Sequence, residues 1–212
     1  MPIDCIVCNS TATRVLVAAD NCDYWRCDAC EATFMDPARM PTPEAERARY
    51  LLHRNDPADA GYREFLSTLA NPLLQRLEPR REGLDYGCGP GPVLAMMLRE
   101  AGHRVDLFDP FFFPDPAPLS RCYDFITCTE TVEHFHSPAV EFDRLDRMLR
   151  PGGWLAIMTR FQQDDSRFAD WDYRKDFTHV VFYREATLRH IAAGQGWSCE
   201  IPAGDIALMR KQ

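Results

Sequence analysis

No apolar run in the 212-residue chain approaches the ~20 residues that span a bilayer, so a membrane span is not expected. The N-terminal residues MPIDCIVC lack a basic segment followed by an apolar stretch. No secretion signal is read there, and the cytoplasm is the expected compartment. Positive charge is not in excess: the net charge is -8, the pI is near 5.2, and Arg-rich spots such as EPRREG are short. Phosphate backbones are held by clustered Lys and Arg, so a nucleic-acid partner is not expected. No internal repeat or low-complexity tract is present. The length suits one domain, or one domain with a small attachment, which buries roughly 70% of its unfolded surface.

A complete dinucleotide fingerprint is also missing. Residues 83–98 read GLDYGCGPGPVLAMML, with Gly87, Gly89 and Gly91 alternating with Cys88, Pro90 and Pro92. The G-x-G-x-x-G pattern wants a third glycine where Pro92 stands. Pro90 and Pro92 remove two N–H donors that a phosphate cradle would use. A ligand with little negative charge suits this turn better.

Cysteine, in contrast, is plentiful, with nine in the chain and five in the first thirty residues. Cys5-x2-Cys8 and Cys27-x2-Cys30 are separated by eighteen residues. Two thiolate pairs on tight turns close a tetrahedron around one zinc ion, and four such ligands leave no open position, so the metal is expected to be structural. A segment of this size has too small a core to fold alone, and metal binding would supply much of its stability. Cys22 is a spare thiol whose spacing fits worse.

After Pro37, PEAERARYLLH reads as a helix with Thr42 as N-cap and Pro43 in its first turn. GYREFLSTLANPLLQRL carries apolar residues at helical spacing, with Asn71-Pro72 as a possible kink or break. From Gly83 on, short strands alternate with helices: GLDYG, then PVLAMMLREAG with Gly102 as C-cap, HRVDLFDP, YDFITCTET, PAVEFDRLDRMLR, WLAIMTR, REATLRHIAAGQG, WSCEIP and DIALMRK. The expected fold is α/β, a doubly wound, Rossmann-like, mostly parallel sheet with a small N-terminal zinc ribbon. Three regions are expected: the ribbon over 1–40, a helical linker or cap over 41–80, and the Rossmann-like part over 81–212.

LDYGCGPG resembles the first motif of class I S-adenosylmethionine-dependent methyltransferases. HRVDLFDP is similar to their second strand, YDFITCTETVEHF to their fourth-strand motif, and LDRMLRPGGWLAI to the helix-turn-strand that follows. YWRCDACEATFMDP looks like the end of zinc ribbons that precede some bacterial members. The resemblance implies S-adenosylmethionine as the bound cofactor and a donor site assembled from three places. The first turn would supply Asp85, Gly87, Cys88, Gly89 and Gly91, with Asp85 orienting the loop and the methionine amino group. The second strand would supply Asp109, Pro110 and Phe111, with Asp109 on the ribose. Thr129 and Glu130 would follow the fourth strand, near the methionine end or the acceptor.

Only thirteen residues separate Asp109 from Tyr123, where the family usually fits a helix and a third strand. A sheet shortened around its third strand is therefore expected, with an adenine pocket walled by Phe111, Phe112 or Phe113, or with these rings covering an exposed edge. Asp115 is a weaker stand-in for the missing acid.

An oxygen or amine acceptor must lose a proton, and histidine is suited to take it. His134 and His179 are the expected catalytic residues, and EHFH also puts Glu133 and His136 near the acceptor mouth; His53 is less persuasive. The aromatic-rich stretch over 161–183 is long for a connection and reads as a lid or wall over the acceptor. The expected function is methyl transfer to a small molecule such as a quinol, a sugar or a metabolite intermediate. An RNA base methyltransferase and a non-catalytic cofactor-binding partner remain alternatives, and the oligomeric state stays open.

Overall fold

A computed structural model of the chain describes residues 3–52 and 55–212; His53 falls outside them. The chain opens on a hairpin of β1 (Thr13–Ala19) and β2 (Cys22–Cys27). Asp20 and Asn21 turn it with φ of 51° and 59°, the left-handed conformation that a two-residue hairpin loop needs and that these side chains tolerate. β3 (Thr33–Met35) adds antiparallel to β2. Then α1 (Pro43–Tyr50) begins at Thr42, whose hydroxyl accepts the Ala45 N–H at 3.4 Å. Next, α2 (Ala60–Leu74) is capped by Asp59, which accepts from Gly61 and Tyr62. It runs through Pro72 without the break considered above. Pro72 forfeits one i→i−4 hydrogen bond in the last turn, a loss the buried apolar face outweighs, and its own carbonyl is taken by Arg76 at 2.7 Å.

The main sheet starts with β4 (Glu82–Tyr86), followed by α3 (Val93–Glu100) and β5 (Arg104–Phe108). Gly102, with φ of 93°, ends the intervening turn. β6 (Tyr123–Thr129), α4 (Pro138–Met148) and β7 (Leu149–Met158) come next. A long connection holds the short α5 (Asp172–Lys175) and β8 (Val181–Phe182). Finally α6 (Glu185–Gly194), β9 (Ser198–Ala203) and β10 (Ile206–Arg210) complete the chain.

The six-stranded order is β5-β4-β6-β7-β10-β9. The pairs β5–β4, β4–β6 and β6–β7 are parallel, and β10 is antiparallel to both its neighbours. β5 is the edge strand. The thirteen residues after Asp109 supply only a bridge between Asp109 and Phe113 and a turn of 3-10 helix over Ala117–Ser120. The sheet is thus mostly parallel and short by one strand at that edge.

Two apolar layers cover the sheet. Leu66, Leu69 and Leu73 of α2 pack with Leu94 and Leu98 of α3 against Phe125 and Trp154. Phe142 and Leu145 of α4 and Leu188 of α6 belong to the other layer, which continues into Tyr24 and Phe34 of the N-terminal strands. The second sheet, β1-β2-β3-β8, crosses between regions: β3 pairs with β8, Thr33 opposite Phe182 and Phe34 opposite Val181. No helix among the described residues is long and apolar enough to cross a membrane.

Candidate active site

Strand order reverses at β4, so β5 and β6 leave it on opposite sides and a crevice opens at their carboxyl ends. That crevice is a cavity of about 1060 Å³. All twelve residues expected to bind the donor or act in catalysis line it. The glycine turn between β4 and α3 forms one wall. Gly87 donates to the Phe108 carbonyl at 2.8 Å, which ties the turn to the end of β5. Its φ is 77°, and a Cβ there would lie 2.2 Å from Thr131 Cγ2. At Gly91 a Cβ would meet the Asn55 carbonyl oxygen at 2.5 Å. The turn therefore packs too closely for side chains, and no side chain caps the start of α3.

Asp85 is buried at the end of β4, where Thr127 Oγ1 donates to its Oδ1 at 2.8 Å. Burial raises its pKa to about 6. Asp109 joins two loops. Its Oδ2 accepts from Gly89 N–H at 3.0 Å, and its Oδ1 accepts from Phe111 and Phe112 N–H at 2.8 and 3.1 Å. Pro110, Phe111 and Phe112 reach the cavity. Phe113 does not line it, because it turns back into the bridge with Asp109; nor does Asp115, which accepts from Ala117 N–H in its own exposed turn. Thr129 Oγ1 is buried in the wall and has no hydrogen-bond partner among the described residues.

The far corner of the cavity is polar. Glu130 holds φ of 48°, fixed by its N–H donating to Met158 C=O at 2.8 Å. Burial, and then the negative charge of Glu133, raise its pKa to about 8. Glu133 is fully buried. Tyr173 OH donates to its Oε1 at 2.6 Å, while Oε2 has no partner among the described residues. His134 Nδ1 lies 2.8 Å from Thr178 C=O, and His179 Nδ1 lies 2.7 Å from Tyr173 C=O. A carbonyl only accepts, so each Nδ1 carries a proton, and in its neutral form each ring keeps the lone pair on Nε2. The two rings meet at 4.8 Å between centroids. Burial lowers the pKa of His179, which keeps that ring neutral.

Sequence spacing puts Glu130, Glu133 and His134 together, but the part played by Tyr173 comes from a residue forty positions further on. The pairing of His136 Nε2 with the buried Glu46 carboxylate at 2.9 Å likewise joins β6's loop to α1 and has no local signal. The stretch over 161–183 does form a cavity wall, through Asp172, Tyr173, Lys175, Asp176, Phe177 and His179. It also has a core of its own: Phe168 packs on Tyr24 and Phe182 at 5.2 and 5.0 Å.

The cysteine pairs sit on two matching turns away from the cavity. Val7 N–H points at Cys5 Sγ (3.4 Å) and Cys30 N–H at Cys27 Sγ (3.5 Å). Asn9 and Glu31, with φ of 59° and 61°, close the turns. The Sγ atoms of Cys5 and Cys30, and of Cys8 and Cys27, are each 3.6 Å apart, and all four lie within 4.8 Å of one another. Tetrahedral zinc, with Zn–S of about 2.3 Å, needs sulfurs roughly 3.8 Å apart, so the donor set fits. Cys22 is outside the cluster and donates to Asp23 C=O.

Residues 53–200 match the family profile described as a methyltransferase domain. Over 77 residues the chain is 31% identical to ubiquinone biosynthesis O-methyltransferase of Klebsiella pneumoniae, covering 36% of this chain and 32% of that enzyme. It is 30% identical over 77 residues to the enzyme of the same name from Nitrosomonas europaea. The chain thus spans about a third of the length of the curated relatives it matches. In structure it is similar to 1,6-didemethyltoxoflavin-N1-methyltransferase of Burkholderia thailandensis, with a TM-score of 0.53, 18% identity, and coverage of 92% of this chain and 96% of that one. An O-methyltransferase family protein from Burkholderia thailandensis gives 0.51 at 16% identity, over 79% and 62%. At such identities the likeness is one of fold. The profile match spans most of the chain and takes in β4, β5 and β6 with the cavity at their ends, and on that ground the chain belongs to the methyltransferase-domain family.

Proposed function

We propose that the chain transfers a methyl group from S-adenosylmethionine to a hydroxyl of a small molecule. The observation that carries this is one cavity with two differently built ends. At one end lies a donor-poor glycine turn tied to Asp109. At the other, two imidazoles have Nδ1 held by backbone carbonyls, which leaves Nε2 as the nitrogen able to take a proton.

The residues at the first end suit the donor. Asp85 offers a carboxylate to an ammonium, Thr129 Oγ1 lacks a partner, and the close-packed Gly87 leaves the backbone bare. Asp109 has three N–H donors on its two oxygens and keeps lone-pair capacity for a ribose hydroxyl. Phe111 and Phe112 give flat apolar surface for a base. Pro90 and Pro92 discard donors that linked phosphates would require. When bound, S-adenosylmethionine supplies an electrophilic methyl group on a sulfonium.

The chain's own contribution is positioning, exclusion of water and removal of a proton. His134 and His179 stand where the acceptor's proton leaves, held in one tautomer by Thr178 and Tyr173. The wall from Asp172 to His179 covers that end. The relatives named for ubiquinone biosynthesis act on oxygen, which favours an oxygen acceptor, and an aromatic-lined cavity suits a flat one. The acidic surface disfavours RNA. Cys5, Cys8, Cys27 and Cys30 hold a structural zinc ion in this reading.

Calorimetry with S-adenosylhomocysteine tests the donor end, with one site per chain expected. Incubation with methyl-labelled donor and fractionated cell extract tests the acceptor end, with label expected in a small hydroxylated compound. Absence of binding, or label found only in RNA or protein, would overturn the reading.

A further inference from the structure

We propose that Glu133, His134 and His179 form a second metal site, separate from the cysteine cluster, that holds a divalent ion of the zinc–manganese–iron(II) group in the acceptor end of the cavity. One ligand atom from each of the three lies within 4.8 Å of the other two. Closing by roughly an ångström would set all three about 2.1 Å from one ion. Two histidines and one carboxylate form a set that leaves coordination positions open.

Each ligand is already prepared. A metal-bound histidine usually donates its other ring N–H to a carbonyl or carboxylate, which fixes the tautomer and aims the lone pair. Both rings do this: His134 to Thr178 C=O and His179 to Tyr173 C=O. The carboxylate supplies a second, independent sign. Glu133 is fully buried, one oxygen is taken by Tyr173 OH, and the other has no partner among the described residues. A bare carboxylate oxygen inside a protein costs several kcal/mol. A bound cation removes that cost, and among the described residues no Lys or Arg pairs with this group. Tyr173 OH, itself bonded to Thr159 at 3.1 Å, orients the carboxylate.

His134 and His179 line the cavity, so an ion held by them would be open to the acceptor's hydroxyl. This part rests on the methyl-transfer reading above. Coordination weakens the O–H bond, and the proton passes to solvent water at the cavity mouth. The oxygen then forms its bond to the methyl carbon while the S–CH3 bond breaks, and the sulfonium becomes a neutral thioether. The histidines would thus act through the ion instead of as bases, and the acceptor would be a molecule whose hydroxyl, or adjacent pair of oxygens, can ligate a metal.

The test uses the full chain with its cysteine zinc in place, dialysed against metal-free buffer and titrated with Mn2+ followed by electron paramagnetic resonance. Mn2+ favours N and O donors over the cysteine cluster. One Mn2+ per chain is expected, and Glu133→Gln and His179→Ala should each weaken it by about tenfold or more, with Glu133→Asp retaining part. Circular dichroism checks that each variant folds, and the less buried His134→Asn serves if Glu133→Gln does not. Zinc carried by the cysteines, measured by metal analysis, should not change in these variants. Uptake of neither Mn2+ nor a second zinc by the wild type, or equal uptake by folded variants, would overturn the proposal. Binding of S-adenosylhomocysteine is read separately, so its failure would sink the donor reading and leave the ion titration standing.

Discussion

At the scale of single residues, two carboxylates carry opposite burdens. Asp85 is buried with one hydroxyl partner, and its folded pKa of about 6 stands above the ordinary 3.8. The folded state therefore holds that proton more tightly than the unfolded one. The stability this gives is complete below about pH 3.8 and is lost as pH rises through about 6. Asp85→Asn should stabilise the free protein by roughly 3 kcal/mol at pH 7.5 and by little at pH 4. Urea melts at the two pH values check the sign, and donor affinity should fall in the same variant. A site that costs stability for the sake of a ligand behaves in this way. Asp109 is instead satisfied by three backbone N–H groups. Asp109→Ala frees all three and removes the proposed ribose contact, so affinity for S-adenosylhomocysteine should drop about 10- to 100-fold by calorimetry. Unchanged affinity would refute the assigned role. Both positions were legible in the sequence, because each ends a strand beside a turn whose residue types are locally constrained.

Among elements, the connection from β7 to α6 is the one whose place could not be read locally. Its length and aromatic content mark it as more than a loop. Its partner is β3, about 150 residues earlier, reached through Thr33–Phe182 and Phe34–Val181 pairing. Phe168 is fully buried between Tyr24 and Phe182. Phe168→Ala should cost about 3–5 kcal/mol. Because Tyr173 and His179 lie in the same segment, kcat should fall in the folded variant with donor affinity kept. Thermal melts and a labelled-donor assay measure the two effects. α2 teaches the reverse lesson. Asn71-Pro72 is a local break signal, yet the helix continues because Leu66, Leu69 and Leu73 bury a face whose packing outweighs one lost hydrogen bond.

For the whole molecule, the cysteine turns, the second sheet and one face of the main sheet share a single apolar layer. A metal held by the cysteines, as proposed, would then stabilise more than the first thirty residues. Cys27→Ser, or a chelator strong enough to strip zinc, should lower Tm of the entire chain and keep one cooperative calorimetric transition. Two separated transitions would show the ribbon to be an independent unit instead.

By itself the sequence determined what short-range physics controls. The glycine turn, the two cysteine knuckles, the alternation of strands with helices and the missing third strand all follow from backbone conformation, residue spacing and chain length. Only the tertiary structure decided what meets across long separations: Tyr173 on Glu133, His179 beside His134, Glu46 on His136, and β8 on β3. Those contacts depend on which faces of distant elements are buried together, and no local pattern encodes that choice.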